Sequence, residues 1–273
     1  MTDKFIEMIL GTDTVPITEK NRVEMLSFSR GDAQTVKSTK TVDGVDGEIT
    51  YLNTYAPFEI TFKLLFLSED VHDKNLFEDE LIEKIHTYDS YYIRHSYHPN
   101  KKYAVNEATY SVTEENPGAL EFELKFTVFK GYSESLHGSL SSRNFEDENF
   151  DFGMNILSGE QPKYTHTSKT FKIYNASSMT VTPIMRHKLD ITLTCAGSPK
   201  ITNNTTGDVF EYIDTLKKTD TLKLSGVYAY KDDTVCGRKT NHGIITLAKG
   251  WNEFTISGAS DIDIEFDFSF IYR

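Results

Sequence analysis

Cysteine is scarce in this chain. Its 273 residues hold two, Cys195 and Cys236, too few for a disulfide-dense secreted scaffold or a four-cysteine zinc site. Trp251 is the single tryptophan. Positive charge is short as well: 29 Lys and Arg face 41 Asp and Glu, a formal net charge of −12. That balance excludes a nucleic-acid-binding surface over the whole molecule, because phosphate affinity comes from clustered Lys and Arg. No apolar run approaches the roughly 20 residues that a bilayer-spanning helix needs, and the opening MTDKFIEMILG is too short and too acidic for a signal peptide. The expectation is a soluble protein made in a reducing cytoplasm, with no membrane partner. Dinucleotide, P-loop, zinc-protease and nucleophile-elbow motifs are all missing, so no enzyme class and no cofactor is expected.

Aromatics are plentiful: 18 Phe and 15 Tyr, residues that suit the half-buried pleat of a sheet. The acidity is uneven. Residues 1–165 carry 16 basic and 29 acidic side chains, net −13, while residues 166–273 carry 13 and 12, net +1. Strand patterns dominate. Pro57–Leu67, Ala119–Lys130 and Asp261–Tyr272 alternate apolar and polar residues with period two, the mark of a strand with one buried face. Asp73–Tyr88 instead spaces Phe77, Leu81, Ile85 and Tyr88 helically, which predicts one helix with Asp73 at its N-cap.

The alternation lapses between Gly131 and Thr165, a stretch rich in Gly, Ser and acids, which reads as a connection between domains. Three segments follow: a first domain over 1–135, a linker or arm over 136–165, and a second domain over 166–273. Short strands with turn signals after Thr167 predict an antiparallel β-sandwich there, so the fold class is mainly β.

Candidate chemistry is thin. His95 and His98, three apart on a strand, would point to opposite faces. Asp263, Glu265 and Asp267 invite a glycosidase reading, but they fit the solvated side of an amphipathic strand. Cys195 and Cys236 read as buried small hydrophobes. Asn175, Asn203 and Asn204 satisfy the glycosylation pattern, without weight in a chain lacking a secretion signal. Trp251 reads as a plug at the end of the sandwich; the alternative is a sugar-stacking platform with Tyr212 or Tyr228, in a glycan-binding module adhesive to a cell wall.

The order of motifs says more than any one of them. Asp43–Glu48 (DGVDGE), Tyr55-Ala56-Pro57 leading into a strand, a helix, and then His98–Val105 (HPNKKYAV) resemble the first domain of siphophage distal tail proteins. Phe145–Gly153, Phe171–Asn175 with Thr182-Pro183, Asn203–Phe210, Gly250–Ile256 and the alternating last strand continue the likeness over residues 40–273. One departure is Ala176-Ser177 after Asn175, where the family has Asn-x-Gly. The resemblance implies a barrel- or sandwich-like first domain that forms a ring, and a galectin-like second domain. It also implies a homo-hexamer at the virion tail tip, assembled in the bacterial cytoplasm. Such a hub would join the tail tube and its major tail protein to a tail-associated lysin or fibre and to receptor-binding proteins, with DNA traversing an acidic lumen without specific binding. The interface residues expected from aromatics and Lys beside strand ends are Gly44, Asp46, Gly47, Glu48, Tyr91, Tyr92, Pro99, Lys101 and Tyr103.

Overall fold

The computed structural model of the chain describes residues 4–18, 22–116, 118–141, 149–151, 153–157 and 162–273. The chain forms two compact units, residues 1–133 with Arg273, and residues 134–272. The stretch 136–165 includes 142–148, 152 and 158–161, which lie outside the described residues.

The first unit contains β1 (Ile6–Leu10), β2 (Asp13–Pro16), β3 (Val23–Arg30), β4 (Thr35–Val36), β5 (Thr39–Lys40), β6 (Ile49–Thr50), β7 (Thr54–Tyr55) and β8 (Phe58–Leu67). Helix α1 (Val71–Ile85), β9 (Tyr91–His95), β10 (Lys101–Asn116) and most of β11 (Ala119–Gly138) complete it. The order β3-β8-β11-β10-β9-β1-β2 makes a curled antiparallel half-barrel. Its spine is the β8–β11 ladder, in register from Phe58 opposite Val128 to Leu67 opposite Ala119. Alternation sends Phe58, Ile60, Phe62, Leu64 and Phe66 inward to meet Leu120, Phe122, Leu124 and Phe126. At β3 a register shift between Met25 and Ser27 bulges an end strand, a device that blunts edge pairing.

Helix α1 covers this core. Phe77 stacks on Phe66 at 3.9 Å between centroids and meets Phe122 at 5.8 Å, while Leu81 and Ile85 are buried. The N-cap is Asp70, whose carboxylate accepts from the Asp73 N–H at 2.8 Å. Asp73 sits at the third helical position, and its own carboxylate accepts from the Glu69 N–H at 3.0 Å. The cap therefore falls three residues before the expected one, because it is the Asp70 carboxylate that accepts from the backbone N–H of the first turn. The Arg22 hydrogen bond, followed by the Glu69 N–H, holds the Asp73 carboxyl below the usual range. The helix stops at Ile85, where the Tyr91 hydroxyl donates to its carbonyl at 3.0 Å. Tyr88, expected in the buried stripe, is fully exposed.

The second unit holds the end of β11, then β12 (Thr165–His166), β13 (Thr170–Asn175), β14 (Leu189–Asn203), β15 (Asp208–Glu211), β16 (Thr221–Ser225), β17 (Tyr228–Lys231), β18 (Thr234–Val235) and β19 (Gly250–Tyr272). Two long strands organise it. The first half of β14 pairs with β16 and the C-terminal half of β19; its second half pairs with β15 and the N-terminal half of β19. Between the halves both strands bend. Gly197 and Gly258 have φ of +122° and +73°, and a Cβ on either would meet the other strand's backbone oxygens at 2.4 and 2.3 Å. Only glycine permits that approach. A straight strand would separate Phe254 from Phe266 by about 40 Å, at about 3.3 Å per residue; their centroids lie 5.0 Å apart. β19 thus folds over itself, and the two layers close around Phe171, Phe254 and Phe266. The strand expected over Asp261–Tyr272 is the second half of one bent strand that begins at Gly250, a correction whose cause is the Gly258 corner.

Candidate assembly surface

One stretch of the first unit has no buried face. From Gln34 to Tyr55 every residue but Val42 is exposed. It is nonetheless ordered as a ribbon: Thr35 pairs with Tyr55 and Val36 with Thr54, then Thr39 with Thr50 and Lys40 with Ile49. Backbone bonds from Tyr51 to Ser38 (2.8 Å) and from Ala56 to Gln34 (2.9 Å) continue it, and Gly31 N–H to the Glu59 carbonyl (2.7 Å) anchors its root to β8. At the tip, Gly44 and Gly47 take φ of +80° and +85°, and a Cβ built on either would meet no atom within 4 Å.

This ribbon carries exposed Val36, Val45, Ile49, Tyr51, Leu52 and Tyr55, with Leu52 at 74 % and Val45 at 60 %. A lone two-stranded ribbon is marginal in water, since it has no third strand or helix to cover it. Six exposed apolar side chains on one uncovered ribbon make it the candidate interaction surface of this unit. Gly44, Asp46, Gly47 and Glu48, among the residues expected at an interface, lie at its exposed tip. The flanking strands gave no sequence signal, because period two is legible only where one face is buried.

The remaining expected residues cluster on β9–β10, where Tyr103 pairs with Ile93, Ala104 with Tyr92 and Val105 with Tyr91. Tyr91 and Tyr103 are core residues, not exposed aromatics, and that part of the expectation is corrected: in YYIRH and KKYAV they occupy the inward positions with Ile93 and Val105. Tyr92 takes the other face, with the ammonium groups of Lys102 and Lys130 at 4.9 and 5.1 Å from its ring centroid and Lys130 donating to its hydroxyl at 2.8 Å. Pro99 and Lys101 are half-buried at the turn into β10.

That turn also brings His95 and His98 to one side, 5.8 Å apart, because the chain reverses after β9 with His98 N–H bonded to the His95 carbonyl. His95 is fully buried among Phe28, Phe62 and Tyr103. Burial, with smaller contributions from His98 and Arg30, pushes its pKa down to about 3, so it is a neutral core ring.

In the second unit Cys195 and Cys236 are buried free thiols, and burial pushes Cys195 up to about 11. Asn175 and Asn203 are buried loop clamps: Asn175 donates to the Met179 and Leu247 carbonyls, Asn203 to the Thr246 carbonyl. Asp263 and Glu265 stand on an open strand face and Asp267 pairs with Lys188 at 2.6 Å. Tyr212 is buried. Trp251 is 40 % exposed, which overturns the end-plug reading: it sits on the outer face of β19, where alternation puts its neighbours Asn252 and Phe254 inside. Among the described residues no three His, Cys, Asp or Glu gather as metal ligands, and no helix is long and apolar enough to cross a membrane.

Residues 11–128 match the phage tail protein RIFT-related domain family. The whole chain shares its fold with the SPP1 phage Dit protein, whose crystal structure is presented as a paradigm of the hub adsorption apparatus in phages infecting Gram-positive bacteria; the TM-score is 0.67 at 11 % identity, covering 97 % of this chain and 99 % of that one. The phage p2 baseplate in its activated conformation with Ca matches at a TM-score of 0.42 and 11 % identity, over 97 % of this chain and 98 % of that one. No curated protein matches in sequence. The resemblance read from motif order is borne out: the chain is mainly β, its residues 11–128 match a phage tail domain family, and its whole length shares the fold of a distal tail protein.

Proposed function

We propose that this chain is the distal tail protein of a siphophage, a hexameric hub at the virion tail tip. Its ring joins the tail tube to a tail-associated lysin or fibre and to receptor-binding proteins. Residues 1–135 form the ring, 136–165 connect, and 166–273 project outward.

The observation that carries this reading is the uncovered 31–55 ribbon. An arm with no buried face and six exposed apolar side chains is built to lie on another copy. A head-to-tail contact of that kind repeats around a closed ring without leaving open edges. The match of residues 11–128 to a tail domain family supports the same reading. The lumen is assigned to the acidic surface of α1 and the β10–β11 hairpin, where Asp79, Glu80, Glu83, Glu107 and Glu114 are exposed. A wall of carboxylates offers DNA phosphates no cation and releases no counterions.

Light scattering across a concentration series tests the hub. The expected mass is six times the 31.1 kDa chain, or a stacked pair of such rings, and a monomer at every concentration overturns it. A ring whose bore is lined by Lys and Arg overturns the lumen assignment alone.

A further inference from the structure

The outer face of β13, β19 and β14 is organised in rows. Tyr174 lies opposite Trp251, Lys172 opposite Glu253, and Thr170 opposite Thr255. On the other side of β19, Thr202 lies opposite Thr255, and Asn204 follows beside Glu253, its N–H bonded to the Glu253 carbonyl at 2.7 Å. The first row is aromatic, with ring centroids 5.1 Å apart and planes tilted by 58°. Tyr174 is fixed by its hydroxyl, which donates to the Asn155 carbonyl at 3.1 Å. The second row is an ammonium, a carboxylate and an amide, with Lys172 and Glu253 paired at 2.7 Å. The third is three threonines, and Asn204 reaches across to donate to the Thr255 hydroxyl at 2.9 Å.

We infer that this face is a binding site for a neutral oligosaccharide. A pyranose has an apolar C–H face and a rim of hydroxyls. An aromatic row followed by mixed donors and acceptors is the complement of both. Rows repeat about every 7 Å along a strand and strands lie about 4.8 Å apart, so the strip has the length of a short oligosaccharide. Charge decides against other occupants. In a chain of net −12, the strip's one acid is matched by its one base, so it offers no excess cation to a phosphate polymer and no excess anion to a basic peptide. Its apolar surface is confined to two rings bordered by polar groups, unlike the first unit's ribbon with its six exposed apolar side chains. The inference does not depend on ring assembly, and either can fail without the other.

Trp251 is the sole tryptophan, so its emission reports occupancy directly. Titrating the full chain with maltotriose, cellotriose and N-acetylated chitotriose should give a saturable emission change with at least one of them. By calorimetry, Trp251→Ala should weaken that binding about tenfold or more while its melting temperature stays unchanged. Trp251→Phe should retain most of it, and Glu253→Gln should lose less than Glu253→Ala because a planar acceptor remains. Three silent titrations overturn the inference. So does a folded Trp251→Ala chain that binds as tightly as the parent, or one that keeps its sugar but loses a tail protein partner.

Discussion

The β8–β11 ladder and the 31–55 ribbon are both antiparallel pairs, and both are rich in β-branched and aromatic residues. In the ladder every second side chain is buried, from Phe58 to Phe66 and from Leu120 to Val128. In the ribbon none is, yet Val36, Ile49, Tyr51 and Leu52 remain apolar. Burial distinguishes the two, not composition. The ladder's apolar residues stabilise the chain that carries them; the ribbon's have nothing to gain until a neighbour covers them. Substitutions in the ladder should therefore unfold the protein, and substitutions in the ribbon should disassemble it.

The largest expected effect is at the ladder. Phe122 is fully buried and touches Phe77 and Tyr110, so Phe122→Ala should cost about 3–5 kcal/mol of folding free energy. Denaturant unfolding of the isolated chain measures it. A loss of assembly with stability intact would break the division between the two regions.

His95 gives the next effect, through pH. Its folded pKa is depressed to about 3, whereas the unfolded chain takes up the proton near the ordinary histidine value. Stability from the neutral ring is therefore complete above about pH 6.5 and falls as the pH drops, by about 1.4 kcal/mol per unit. Between pH 6.5 and 5 the parent should lose about 2 kcal/mol more than His95→Phe. Equal slopes for the two proteins would show that the ring is protonated when folded.

A smaller loss is expected at the start of α1. Asp70→Ala removes the acceptor for the Asp73 N–H and should cost about 1 kcal/mol, seen as a modest drop in melting temperature without loss of assembly.

How much of this was legible in the sequence follows the same contrast. β8, β11 and the end of β19 bury one face, so their alternation is visible, and α1 shows its stripe at Phe77, Leu81 and Ile85. The Gly258 corner hid the continuity of β19, because a bend that needs glycine looks like a turn between strands. Tyr91 and Tyr103 are ambiguous on residue type, because tyrosine suits either side; the alternation with Ile93 and Val105 places them in the core. At the tip, the Gly-Val-Asp-Gly pattern marks the turn at Gly44–Glu48, but the ribbon leading to it has no period to read. Tyr174, the partner of Trp251, was invisible because a cross-strand neighbour 77 positions away follows only from the β13–β19 register.

The smallest effect on folding should accompany the sharpest effect on assembly. Tyr51 and Leu52 are exposed at the return of the ribbon, so Tyr51→Ser with Leu52→Ser leaves the buried core of the unit untouched. Surface changes of this kind move stability by no more than about 0.5 kcal/mol, and the melting temperature of the dilute chain should hold. The mass in solution should not: two apolar side chains that a neighbour covers contribute about 1.5–3 kcal/mol each when fully buried, and a ring repeats the loss at every interface. Light scattering at matched concentrations should therefore show the doubly substituted chain shifted toward the monomer while its unfolding curve overlays the parent's. If the curve moves and the mass does not, the ribbon folds onto its own chain and the contrast with the ladder is gone.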